Sequence, residues 1–230
     1  MRPHHHLDDA TLMSLAAGAL AIPLAVVASA HLERCEQCRR RLREAEAVGA
    51  ALLEQTQPAL PPDNARQDAL RAAMLARLEG EDDVELRRES RIGGDATVTT
   101  MPGADPDAMP VALRPYFGDR LSTVRWHWIG PGMYCTRGRD MASLIMLKIA
   151  PGRSLPLHSH GGSELTQVLQ GSYNDALGVF APGDVADLDQ DVEHQPVTAP
   201  GVPCICVSAL DAPLVFSGWL ARKLQRFVQL

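Results

Sequence analysis

Two things are scarce in this chain. One is cysteine, with five in 230 residues. That is far below the density of a small secreted scaffold held by disulfides, so a reducing compartment is expected. The other is an excess of positive charge. Lys and Arg number 22 against 28 Asp and Glu, a formal net charge of −6, which argues against non-specific nucleic-acid binding. The one dense basic run, Arg39, Arg40, Arg41 and Arg43, is followed by Glu44 and Glu46 and reads as a solvated face. No internal repeat relates the two halves, and the length allows two domains.

Charge is also missing locally. From Ala10 to Ala30 no residue is charged, a length that would suit a spanning helix or the apolar part of a signal peptide. Asp8 and Asp9 precede the run, where an export signal carries positive charge. Gly18 and Pro23 interrupt it, and Pro23 fits the first turn of a new helix. Two short helices are expected instead, Asp8–Ala17 and Pro23–His31. Leu12 and Leu15, then Leu24 and Val27, give each an apolar stripe. No membrane anchor and a cytoplasmic location are the expectation.

The apolar run ends in a set of metal-ligand residue types. In HLERCEQC, His31 and Cys35 are four apart and share a helix face. Cys35 and Cys38 have the C-x2-C spacing that points two thiolates at one ion. Sulfur and imidazole together favour zinc. The fourth ligand is left to His4, His5 or His6. A tag remnant explains three histidines poorly. A thioredoxin-like redox pair would want a βαβ setting that is absent.

Residues 1–79 read as helical. Arg39–Glu54 is rich in strong helix formers, and Pro58, Pro61 and Pro62 stop it. Asp63 or Asn64 caps a further helix to about Leu78, with Leu70, Met74 and Leu78 at fourfold spacing. Four helices around one zinc would make a small core. Residues 80–110, charged and then rich in Gly and Pro, read as a linker. From Val111 to Leu230 short β-type runs come in close succession: VRWHWI, SLIMLKI, LTQVLQG, VADLD, CICVSAL and APLVFSGWL. Leu220–Val228 fits a strand or a short helix. Such spacing means a sandwich or barrel. The fold class expected is multidomain: a small all-α zinc-binding domain, then an all-β barrel.

A second cluster sits in GRSLPLHSHGGSELTQVLQG. His158 and His160 share a strand face, and Glu164 has the same parity beyond the Gly161-Gly162 turn. With His194 they make a set for zinc or another divalent transition metal. His127 in WHW reads as an ordinary histidine, and Cys135 as core.

The run Gly152-x5-His158-x-His160-x3-Glu164-x6-Gly171 resembles the first cupin motif in full. It implies a double-stranded β-helix with His158, His160 and Glu164 as metal ligands. Pro182-Gly183-Asp184 is similar to the turn of the second motif, but His194 stands farther from that glycine than the family pattern has it. The N-terminal half resembles the zinc-binding anti-sigma domain. The combination resembles the ChrR-type anti-sigma factors, through AHLERCEQCR, ELTQVLQGSY, EHQPV, CICVSALDAPL and RKLQRF. In that family the upstream ligand corresponds to His6, giving a zinc site of His6, His31, Cys35 and Cys38. The resemblance implies a cytoplasmic protein that sequesters one extracytoplasmic-function (ECF) type sigma factor in a 1:1 complex. It would bind no nucleic acid itself and release sigma on a singlet-oxygen-like signal through the cupin. Cys204 and Cys206, two apart on one strand, are candidates for redox sensing, with ordinary buried thiols as the alternative. The competing class is a metal-dependent cupin dioxygenase or isomerase with a zinc-finger appendage.

Overall fold

The computed structural model describes residues 2–57, 64–80, 105–212 and 214–216. Of these, residues up to 51 and from 105 onward form one compact unit, and those from 52 to 80 belong to another. Pro58, Pro61, Pro62, Asp63, most of the expected linker and the terminal RKLQRF lie outside the described residues.

The helices start and stop for local reasons. Helix α1 (Asp9–Ala16) is capped by the Asp8 side chain, which accepts from the Thr11 amide. It ends where Gly18 takes a left-handed φ of 65°, a conformation that costs glycine little. Helix α2 (Ile22–Leu32) carries Pro23 in its first turn, where a missing N–H is harmless. Helix α3 (Glu36–Gln55) begins directly after Cys35. Helix α4 (Asn64–Gly80) belongs to the second unit. Among the described residues no helix is long and apolar enough to cross a membrane.

Before the barrel come a 3₁₀ turn (Val111–Leu113), helix α5 (Arg114–Phe117) and a second 3₁₀ turn (Leu121–Thr123). Glu33, just past α2, accepts the amides of Val111 and Ala112 through its two carboxylate oxygens. That bond pair fastens the entry to the barrel onto the helices.

The strands are β1 (His127–Gly130), β2 (Met133–Gly138), β3 (Met141–Ile149), β4 (His158–His160), β5 (Glu164–Gln170) and β6 (Tyr173–Asp175). Then come β7 (Gly178–Phe180), β8 (Val185–Leu188), β9 (Val197–Thr198), β10 (Cys204–Leu210) and β11 (Leu214–Phe216). Among the described residues they form a six-stranded sheet in the order β1-β2-β3-β10-β5-β8, a pair β11-β4 and a three-stranded sheet β7-β6-β9, all antiparallel. Gly171 turns β5 toward β6 with φ of 70°. A Cβ there would lie 2.5 Å from the Pro203 carbonyl oxygen, so only glycine fits.

The central strands β5 and β10 of the large sheet are buried on both faces. Along β10, Ile205, Val207 and Ala209 join a core with Leu24, Val27, Ala28 and Ala30 of α2, while Cys204 packs with Val168, Tyr173 and Phe180 inside the barrel. Strand β5 divides the same way: Leu165 and Leu169 face the helices and Val168 the interior. Strands covered on both sides read as continuous apolar runs rather than alternating ones, which accounts for CICVSAL. The small core expected within the helices is therefore a core shared with the sheet. Helices of 8 and 11 residues have too little surface to bury their apolar stripes on each other alone.

Candidate metal centres

The N-terminal donors come from three elements. His6 lies on the segment before α1, His31 in the last turn of α2, and Cys35 and Cys38 at the start of α3. The Cys35 amide donates to the His31 carbonyl at 3.0 Å, continuing the α2 ladder into the turn. The Cys38 amide then donates to Cys35 Sγ at 3.4 Å, so that sulfur takes the capping place at the N-terminus of α3, where a negative charge is favoured. The spacing His-x3-Cys-x2-Cys is thus a helix end, a tight turn and a helix start.

The four donor atoms lie within 4.8 Å of one another. His6 Nδ1 is 3.2 Å from Cys35 Sγ and 3.7 Å from Cys38 Sγ, and His31 Nε2 is 3.3 Å from Cys38 Sγ. A tetrahedral zinc, with bonds of about 2.0 Å to nitrogen and 2.3 Å to sulfur, spaces its donors by roughly 3.5 Å. The quartet can hold a metal ion. Burial pushes the His31 ring down to about 4, against a hydrogen bond to Gly183 that favours its proton. Burial pushes the Cys38 thiol up to about 11. Left to themselves His31 and Cys38 are neutral; a divalent cation is what would make a thiolate of Cys38. His31 Nδ1 donates to the Gly183 carbonyl at 2.9 Å, which leaves Nε2 as the nitrogen that could ligate, an arrangement like the outer shell of metal-bound histidines.

The three consecutive histidines separate by role. His6 alone joins the donor quartet. The backbone amides of His4 and His5 both donate to Asp184 Oδ1. The His5 ring stacks on Phe180 with centroids 4.0 Å apart.

In the barrel, His158 and His194 meet across an isolated bridge, each amide donating to the other's carbonyl. His158 Nδ1 donates to the Pro156 carbonyl at 2.8 Å, and His194 Nδ1 to Asp175 Oδ2 at 3.0 Å. Those partners turn the two Nε2 atoms toward each other, 3.1 Å apart. Two nitrogen lone pairs so close suit a shared cation or a shared proton. Glu164, at the start of β5, is buried and accepts from Thr166, whose hydroxyl also meets Ser208 on β10. The backbone of His160 pairs with Leu214; its side chain lies outside the described part of the structure. Among the described residues, only the N-terminal quartet brings three or more metal donors together.

Cys204 and Cys206 are buried. Burial lifts the Cys204 thiol to about 12 and Cys206 well above its ordinary value. Cys135 is half-buried, and burial raises it too. Nothing in the residue pattern pointed to Asp175, nineteen positions from the histidine it holds. Nor did it show that the carbonyl of Gly183 and the carboxylate of Asp184 reach the N-terminal site, although the Pro182-Gly183-Asp184 turn itself was visible.

Comparison with known proteins bears on the whole assembly. A family model described as the ChrR cupin-like domain matches residues 121–212. The anti-sigma-E factor ChrR of Cereibacter sphaeroides is 36% identical over 234 residues, covering 100% of both chains. This chain belongs to the ChrR-type anti-sigma factors. The crystal structure of Rhodobacter sphaeroides SigE in complex with the anti-sigma ChrR is similar at a TM-score of 0.69 and 32% identity, across 92% of this chain and 100% of that one. That relative is an anti-sigma factor, a regulator rather than an enzyme, so the alternative of a cupin dioxygenase or isomerase gives way. A helical region followed by a cupin β-fold, read from the sequence, is the fold the family has.

Proposed function

We propose that this protein sequesters an ECF-type sigma factor in a 1:1 complex in the cytoplasm and releases it when an oxidant of the singlet-oxygen kind reaches the cupin. The reading takes residues 1–79 as the sigma-binding domain, 80–110 as linker and 111–230 as sensor. It assigns zinc to His6, His31, Cys35 and Cys38, on the donor set. It assigns zinc or another divalent transition metal to His158, His160, Glu164 and His194.

The observation that carries the reading is full-length membership of an anti-sigma family, with apolar helix faces to match. On α3, Val48, Leu52 and Leu53 are 50%, 61% and 74% exposed; on α4, Leu70, Met74 and Leu75 are 62%, 67% and 49% exposed. Val48 and Leu52, like Leu70 and Met74, are spaced as anchors of a helix laid in a groove. A helix end rich in exposed leucine is unfavourable in water and is satisfied by a protein partner. Cys204 and Cys206 stay protonated in the closed barrel, so oxidation of that pair would come after opening rather than start it.

The test is co-purification from the native bacterium with metal analysis. A stoichiometric small sigma factor, with metal in both halves, is the expected result. A protein free of sigma that consumes oxygen on a metabolite would overturn the reading.

A further inference from the structure

The cupin turn between β7 and β8, Ala181–Asp184, belongs by sequence to the sensor half. In space it touches the N-terminal metal centre at two points. Gly183 offers its carbonyl to His31 Nδ1 at 2.9 Å. Asp184, 1% exposed, holds the amides of His4 and His5 with one carboxylate oxygen and the Ala181 amide with the other. The same carboxylate therefore shapes its own turn and pins the irregular segment that leads into His6. His5 adds a second fastening. Its ring lies on Phe180, which stacks in turn on Tyr173 inside the barrel, and its Nε2 meets the Val179 carbonyl at 3.1 Å.

Such a pattern has a chemical purpose. His6 comes from an irregular segment, with no helix to fix its ring against Cys35 and Cys38. A ligand on a loose strand loses its ion by swinging away. Charge-assisted bonds from a buried carboxylate to two consecutive amides are strong, and they act one residue from the donor. His31 gets its orientation from a cupin carbonyl rather than from its own domain. We propose that Gly183 and Asp184 complete the N-terminal centre as positioning residues, so that the cupin sets how firmly that centre keeps its metal. The inference rests on the metal-binding reading of the His6, His31, Cys35 and Cys38 quartet.

The test uses the full chain loaded with Co2+, because thiolate-to-cobalt absorption reports the N-terminal donors and not an imidazole–carboxylate site. Loss of that band to excess chelator gives a release rate. Asp184→Ala should speed release by about ten- to a hundredfold, the usual effect of an outer-shell change, and Asp184→Asn should recover part of the loss. His5→Ala leaves the cupin turn untouched and should speed release by a smaller factor; it keeps the test decisive where Asp184→Ala fails to fold. Release at the unaltered rate from folded Asp184→Ala, or from His5→Ala where only that variant folds, overturns the inference while leaving the metal centre standing. A wild-type chain with no thiolate–cobalt band overturns the metal reading itself, and the inference with it.

Discussion

The Nδ1 of His31 donates to the carbonyl of Gly183, 2.9 Å away and 152 positions along the chain. The ring is fully buried, so no water competes for that bond. The bond fixes the tautomer and aims Nε2 at Cys38 Sγ. A candidate ligand in one half of the chain is thus oriented by the backbone of the other.

Replacing one thiolate should undo the helical half. Cys38 is 0% exposed and lies between His6 and His31. Cys38→Ser, or Cys35→Ser, is expected to bind one fewer metal ion per chain. It should lose sigma binding by at least a hundredfold, since structural zinc supplies on the order of 10 kcal/mol of folding energy in small domains. Metal analysis with a pull-down checks it; tight binding without the ion would refute the structural role.

The cupin histidines should separate binding from response. His158→Ala combined with His160→Ala leaves the exposed helix faces untouched. Sigma affinity should stay within about threefold, below 1 kcal/mol, while release by oxidant is lost. A double variant that no longer binds sigma would sink the division of labour between the halves.

Gln167 makes a stability prediction. It faces α2 from β5, is 0% exposed, and reaches the Ala30 carbonyl through Nε2 at a long 3.4 Å. Its Oε1 has no hydrogen-bond partner among the described residues. Burying an amide oxygen that way costs about 1–3 kcal/mol, and methionine fills a similar volume without it. Gln167→Met should raise Tm by roughly 2–4 °C, the shift of about 1 kcal/mol in a chain of this size. A lower Tm would mean the bond to Ala30 outweighs the orphaned oxygen.

Asp187 makes a pH prediction. Burial pushes its carboxyl above the ordinary 3.8, helped by the charge of Asp8, while bonds from the Asp8 amide and the Thr11 hydroxyl pull the other way. A raised carboxyl holds its proton more tightly folded than unfolded. Its contribution to stability is therefore whole below 3.8 and is lost as pH rises through the raised value. Asparagine does not titrate, so Asp187→Asn should gain on the parent across that window. Denaturant midpoints of both proteins over a pH series test the sign. A variant that loses ground as pH rises would contradict it.

Much of the fold was legible in the sequence because it is written locally. Gly18 and Pro23 punctuate the first two helices as expected, Asp8 caps the first rather than opening it, and the turn chemistry needs no distant partner. The quartet was legible too, though spacing left the choice among His4, His5 and His6 open and only the family resemblance pointed to His6. That choice depends on where Asp184 and Phe180 stand, which no spacing encodes. Short strands such as β6, β7 and β9 escaped, having two or three residues each and no periodicity to read. The double burial of β5 and β10 escaped as well. An apolar run does not say what covers its second face.

That shared core sets an order of events during synthesis. Helix α2 is made early, and Ile205, Val207 and Ala209, which cover its apolar side, are made last. At about 5–20 residues per second, roughly 9 to 35 seconds separate the two on the ribosome. Through that interval the stripe of Leu24, Val27 and Ala28 has only its earlier-made partners to pack on, Leu113, Leu144, Met146 and Leu165 among them, and its cover is completed when β10 arrives.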